Sequence, residues 1–174
     1  MKTADYLDQL LQKYSGTFDI YQPYVIHGRE YSAYGYFSSH TEKYVLVREV
    51  NMWSSDSYEH VLFIETEEVD QKLIDEAYSI VKDYMEPVLV RKGETTPEAG
   101  HMYSYMTISV LAQQPLSPDM KKAVKHFKFE KGYRFNMRGF SQAHIVCATM
   151  EDEKVYSNYV GRMSKKLYQS IFRN

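Results

Sequence analysis

The four apolar residues Val61-Leu62-Phe63-Ile64 are followed at once by a segment with a different period. The run is β-branched and aromatic, so it reads as a well-buried strand. From residue 69 the pattern changes. Leu73, Ile74, Ala77, Tyr78, Val81 and Met85 recur at helical spacing, and Asp70 stands where an N-cap belongs. The spacing predicts a helix over 69–85, ended by Pro87, and then a strand at Val88–Val90. A buried strand feeding an amphipathic helix commits this part of the chain to a sheet with helices packed on it.

The rest of the chain extends that plan. Leu7, Leu10, Leu11 and Tyr14 predict a first helix over 3–14, stopped at Gly16. His27-Gly28-Arg29 reads as a turn. Tyr34 and Tyr36 begin a period-two pattern that resumes at Tyr44, Leu46 and Arg48 after a turn around His40–Glu42. Ser54-Ser55-Asp56-Ser57 and Gly93 to Gly100 have loop composition. Met102–Ala112 reads as a strand. Ser117-Pro118-Asp119 opens a helix with Met120, Ala123, Val124 and Phe127 inward. Strands are expected at Tyr133–Met137, between Gly132 and Gly139, at Ala143–Met150, and near Val155–Tyr156 after a turn at 151–153. A last helix holds Met163, Leu167, Tyr168 and Ile171. The expected fold is α+β: one mixed β-sheet with packed helices, in the order α, several β, α, β, β, α, β, β, α, forming a single domain over 1–174.

Charge is divided unevenly along this plan. Residues 1–87 hold 7 Lys/Arg and 16 Asp/Glu, so 7 − 16 = −9; residues 88–174 hold 14 and 7, so 14 − 7 = +7. The positive half is densest at Lys121, Lys122, Lys125, Lys128, Lys131, Arg134 and Arg138, with Phe127, Phe129, Tyr133 and Phe135 between them. Cations neutralise phosphates and aromatic faces stack on unpaired bases, so Lys121, Lys122, Lys125, Lys128, Arg134 and Arg138 are candidate binding residues for a polyanion or nucleic acid. The plainer reading of the lysines is a solvated helix face. Seventeen tyrosines are the other departure from ordinary composition. Tyrosine gives apolar area with a polar rim, which suits a half-buried sheet or a binding surface, and Tyr34 and Tyr36 are the binding candidates of this kind.

Motifs that name a reaction are missing. There is no nucleophile elbow, phosphate loop or Rossmann fingerprint. The six histidines show no metal-ligand spacing, and no metal or cofactor is expected. Asp56, Glu59 and His60 form the best local acid/base group, which would suit a hydrolase, and they are placed on a loop. Glu65, Glu67, Glu68 and Asp70 are a second acidic cluster, for which the macrodipole of the following helix already accounts. Cys147 lies in an apolar strand and reads as inert packing. The N-terminal residues carry no apolar signal core, and no apolar run approaches the roughly 20 residues of a membrane helix. A cytoplasmic location without a membrane partner is expected.

Two resemblances add to this. The succession helix, meander, helix, strand, helix, strand resembles the restriction-endonuclease-like layout. That family carries Asp/Glu-x-Lys on a hairpin strand, whereas the strand here reads Glu59-His60-Val61-Leu62-Phe63-Ile64-Glu65. The resemblance therefore implies an inactive relative. Separately, Tyr6-Leu7 with Leu11-Gln12-Lys13-Tyr14, Glu42-Lys43-Tyr44-Val45-Leu46, His101-Met102, Lys125 to Lys131, and Lys154-Val155-Tyr156-Ser157-Asn158 resemble an uncharacterised bacterial domain family. That resemblance spans nearly the whole chain and implies no activity.

The leading functional expectation is a non-enzymatic binding or interaction module. The alternatives are a nucleic-acid-binding, catalytically inactive nuclease-like protein, and a hydrolase with an acid/His site. The oligomeric state is left open, a homo-oligomer included.

Overall fold

A computed structural model describes residues 1–43 and 53–173. Helix α1 covers Thr3–Tyr14. Strands β1 (Asp19–Tyr21), β2 (Tyr24–Ile26), β3 (Arg29–Tyr31), β4 (Ala33–Lys43) and β5 (Trp53–Thr66) follow. Helix α2 (Gln71–Ile80) continues into a wide π-type helix over Val81–Val90. Then come β6 (His101–Ala112), α3 (Pro118–His126), β7 (Glu130–Gly132), β8 (Phe140–Thr149) and β9 (Lys154–Ser157). A 3₁₀ turn at Val160–Ser164 leads into α4 (Lys165–Ile171).

Among the described residues one mixed sheet of seven strands runs β1-β4-β5-β6-β8-β7, with β9 also on β8. Strands β5, β6 and β8 are parallel, β4 is antiparallel to β5, and β2 and β3 form a separate hairpin. The strand period of two sorts side chains onto two faces. Leu62, Ile64, Met106, Ile108, Ile145 and Cys147 pack under α2, the π-type helix and α3. Val61, Phe63, Leu111, Val146 and Ala148 pack under α1 and α4. The result is three layers, with the most buried strands in the middle, as the near-continuous apolar runs require.

Several expectations are met closely. Helix α1 occupies 3–14. Asp70 caps α2, its Oδ1 accepting from the Leu73 N–H at 2.8 Å, and Ser117 caps α3 from Met120 N–H at 3.2 Å. His27 and Gly28 both have positive φ and turn the β2–β3 hairpin.

Others are corrected. Val88–Val90 is helix, not strand. Pro87 has no N–H and its ring crowds the preceding turn, and here the helix widens instead of stopping. Its end is marked by Arg91 N–H donating to Glu86 O at 3.1 Å, a bond spanning five residues. Tyr133–Met137 is a turn with positive φ at Arg134, Phe135 and Asn136, and the strand there is the shorter β7. Ser54–Ser57 lies within β5, and β4 runs through His40–Lys43 without a turn because these residues pair with Trp53–Asp56. Tyr44, Leu46 and Arg48 lie outside the described residues. Met163 is exposed, on the 3₁₀ turn before α4.

The edge of β8 has an unusual closure. β7 pairs with residues 140–142 and β9 with 146–149, which leaves a gap at 143–145. Asn158 fills it. Its Oδ1 accepts from Ile145 N–H at 3.2 Å and from Gly161 N–H at 2.9 Å. Its Nδ2 donates to Ala143 O and Phe127 O, both at 3.0 Å. One amide thus does the work of a missing strand residue, and every group it contacts is main chain.

Candidate functional site

At the N-terminal ends of the parallel strands, on the face that carries the π-type helix, aliphatic residues give way to tyrosine and histidine. Tyr34 and Tyr36 of β4 stand opposite Leu62 and His60 of β5. Tyr58 of β5 stands beside Ser104 of β6. Even-numbered residues on all three strands therefore share one face. The rings form a continuous row. Tyr24 stacks on Tyr34 with centroids 4.4 Å apart, Tyr36 lies 5.3 Å from His60 and 6.5 Å from Tyr58, and Tyr58 stacks on His101 at 5.9 Å. His101 meets the edge of Tyr133 at 5.8 Å.

The π-type helix and the loop after it form the opposite wall. Val88, Leu89 and Lys92 face Tyr21, Tyr24, Tyr34, Tyr36 and His60 across an open groove of about 370 Å³. Past Tyr36 and His60 the groove narrows into a chamber of about 20 Å³, bounded by Tyr58, His101, Ser104 and Glu98. Lys92 and Glu98 form an ion pair at its mouth.

The polar groups are tied down. Tyr34 Oη and His60 Nδ1 are 2.7 Å apart, and Tyr24 and Tyr84 share a hydrogen bond at 2.7 Å. Burial holds the His60 pKa down to about 4, with His101 and Lys92 adding to the effect, so its imidazole is neutral at pH 7. Burial pushes the phenols of Tyr24 and Tyr34 well above the usual range, and Tyr58 up to about 12. His101 Nδ1 lies 2.8 Å from the Arg138 carbonyl, and Nε2 lies 2.8 Å from Ser104 Oγ. A carbonyl only accepts, so Nδ1 carries the proton. Burial lowers the His101 pKa and keeps the ring neutral, so Nε2 accepts from the Ser104 hydroxyl.

Behind the chamber Glu86 is a buried carboxylate. Arg91 donates Nε to its Oε1 at 2.6 Å and Nη2 to its Oε2 at 3.1 Å. Lys131 Nζ is 3.1 Å away and Tyr133 donates its hydroxyl at 2.9 Å. The hydrogen bonds from Arg91, Lys131 and Tyr133 outweigh burial and hold the Glu86 pKa below its ordinary value. Tyr133 spends its proton on Glu86, so Ser141 donates to Tyr133 at 2.8 Å.

The residues singled out from the sequence are divided by this geometry. Tyr34, Tyr36 and His60 come together in the groove. Asp56 and Glu59 do not join His60 as a group. Asp56 is on the same face but held to His40, while Glu59 is paired with Tyr105 on the opposite face, where burial raises its pKa. Lys121, Lys122, Lys125 and Lys128 are exposed on α3 and the connector after it. Arg134 is exposed in the 133–139 turn, and Arg138 contributes its carbonyl to His101. The basic residues trail along the β7/β9 edge, from Lys121 over the Tyr156 ring, next to Cys147, to the turn before Phe140. That is roughly 20 Å at strand spacing. Glu67 and Glu68 are exposed at the entry to α2, and Glu65 is half-buried at the end of β5. Cys147 is buried, and its thiol is pushed up to about 12. Among the described residues no group of three or more His, Cys, Asp or Glu is placed to hold a metal ion, and no helix is long and apolar enough to cross a membrane.

His101, Ser104, Tyr58, Glu86 and Lys92 were not legible as site residues. They meet through the parallel register of β5 on β6 and through the widened helix, and neither has a sequence signature. The sequence cues available were an acidic residue, Glu86, set among Met85, Val88, Leu89 and Val90, and the Lys92-Gly93 pair, which the structure turns with both residues at positive φ.

A family model described as Domain of unknown function (DUF8052) matches residues 2–170. No curated protein and no solved structure matches the chain.

Proposed function

We propose that this chain, which belongs to the family of unknown function DUF8052, is a binding module whose tyrosine-histidine groove receives a planar, uncharged ring. The observation that carries this reading is the row Tyr24-Tyr34-Tyr36-His60 forming one wall of a groove of about 370 Å³, with Val88 and Leu89 opposite. A pocket with apolar walls and a few fixed polar groups is the usual form of a small-molecule site. With His60 neutral, Tyr24 and Tyr34 held protonated by burial and Lys92 paired with Glu98, the walls favour stacking over ion pairing. The test is an NMR titration with indole as probe. Saturable shifts confined to the rings of Tyr34, Tyr36 and His60 are expected. In Tyr36→Ala the affinity should fall roughly threefold to tenfold, the worth of one aromatic contact at about 0.5–1.5 kcal/mol. Shifts scattered over the surface would refute it.

A second reading concerns the β7/β9 edge. Lys125 and Lys128 line a groove of about 400 Å³ together with Phe127, Phe129 and Tyr159. Cations beside apolar rings favour a polyanion, including single-stranded nucleic acid. Binding of an oligonucleotide that weakens steeply with salt, and weakens in a Lys125→Glu/Lys128→Glu double variant, is the expected result. No binding at low salt would remove it.

A further inference from the structure

We propose that Ser104 is an activated nucleophile and that the narrow end of the groove is an acyl-transfer site for small-acyl esters of aromatic alcohols. The proposal rests on the groove reading for the place of the ring, but its chemistry comes from a different set of atoms. Ser104 Oγ is 2.8 Å from His101 Nε2, and His101 Nδ1 is 2.8 Å from the Arg138 carbonyl. This is the order nucleophile, base, orienting acceptor, with a main-chain carbonyl in the place a carboxylate often takes. In the neutral ring the Arg138 carbonyl, which can only accept, takes the Nδ1 proton and so sets the direction of both hydrogen bonds. It leaves Nε2 free of a proton and facing the serine hydroxyl, the tautomer a general base requires.

The backbone is built to hold that carbonyl in place. Gly139 has φ +72°, and a Cβ there would lie 2.1 Å from Met102 O and 2.8 Å from His101 O. The 138–139 peptide therefore lies directly against the start of β6, closer than any side chain permits. The stack of Tyr58 on one side of His101 and the edge of Tyr133 against it restrict the ring further.

Space and polarity divide the substrate into two parts. The chamber of about 20 Å³ in which Ser104 and His101 meet admits a group of about the size of a water molecule, such as a carbonyl oxygen or a methyl. The adjoining groove shares Tyr36, His60 and Lys92 with the chamber and has room for a ring. A small-acyl ester with only its carbonyl oxygen in the chamber, and its methyl and aryl alcohol on the groove side with the ring between Tyr36 and Leu89, fits both. Tyr36, Tyr58 and Lys92 line the chamber, and Lys92 is held by Glu98, so the two tyrosines are the residues assigned to donate to an oxyanion.

The step balances without a cofactor. Ser104 Oγ forms a bond to the carbonyl carbon as its proton passes to His101 Nε2. The tetrahedral intermediate collapses, the bond to the aryl oxygen breaks, and that oxygen takes the proton from Nε2. Water then attacks the acyl-serine, gives a proton to Nε2, and the acid leaves as Ser104 Oγ is reprotonated.

The test is incubation of the full chain with p-nitrophenyl acetate, followed by peptide mapping by mass spectrometry. One acetyl adduct on Ser104 and a burst of p-nitrophenolate of about one equivalent are expected. Ser104→Ala should lose the burst, and Ser104→Cys should retain an adduct at the same position. The wild-type adduct map answers the question even where Ser104→Ala folds poorly. Adducts on surface lysines with Ser104 unmodified would overturn the proposal. If indole still shifts Tyr36 in that case, the groove reading stands and only the nucleophile falls; if neither is seen, both fall.

Discussion

The hydroxyl of Tyr34 and Nδ1 of His60 lie 2.7 Å apart on neighbouring strands, and this pair joins the sheet core to the groove. Its burial also makes the fold sensitive to acid. His60 has a folded pKa of about 4 against 6.5 unfolded, and His144, buried on the other face, has the same values. Between these limits the unfolded chain binds more protons than the folded one. Stability is therefore full above pH 6.5 and is lost as pH falls toward 4. Each histidine accounts for roughly 3 kcal/mol over that window. Urea unfolding at pH 7 and pH 4.5 should show the loss, and His144→Gln should reduce the slope. A flat profile would contradict neutral burial.

Glu86 predicts a second acid effect at lower pH. Its folded pKa is depressed, so its contribution is present above the unfolded carboxylate range and disappears as pH falls through the folded value. At neutral pH, Glu86→Gln leaves Arg91 and Lys131 without their shared anion. A loss of about 3 kcal/mol is expected, measured by denaturant unfolding, because a buried ion pair broken on one side leaves a charge uncompensated.

Asn158 should be among the least replaceable residues of the chain. Asn158→Ala strands the N–H groups of Ile145 and Gly161 and the carbonyl of Ala143 inside the β7/β9 gap. Each unsatisfied group costs about 1–3 kcal/mol. A total loss above about 3 kcal/mol is expected, with hydrogen exchange rising at Ile145 before the rest of β8. Uniform exchange along β8 would show that the amide does not close the edge.

Gly139→Ala tests the placement of the 133–139 turn. An added Cβ meets the Met102 carbonyl, and backbone cannot yield as a flexible side chain does. The expected result is a folded protein with lowered midpoint and displaced His101 ring resonances. Unchanged His101 resonances would mean that the turn does not position the ring.

The layers of this fold were legible in the sequence and the site only partly. Periodicity located α1, α2, α3 and β8 because each buries one stripe or a continuous run. It missed the helix at Val88–Val90, since three apolar residues after a proline look like a strand until packing decides. It placed Tyr133–Met137 in a strand because alternating Tyr133 and Phe135 imitate one, whereas Phe135 is fully exposed at the turn. Tyr34, Tyr36 and His60 could be singled out from composition and spacing. Their meeting with Tyr58, His101 and Ser104 depends on a parallel register between segments over 40 residues apart, which no local pattern encodes.

The central claim, that the Tyr34-Tyr36-His60 wall is a binding surface, is tested most directly by a crystal structure of the chain grown with indole. The account predicts one indole between Tyr36 and Leu89, its plane parallel to the Tyr36 ring. An empty groove at saturating indole, or indole bound elsewhere, would contradict it.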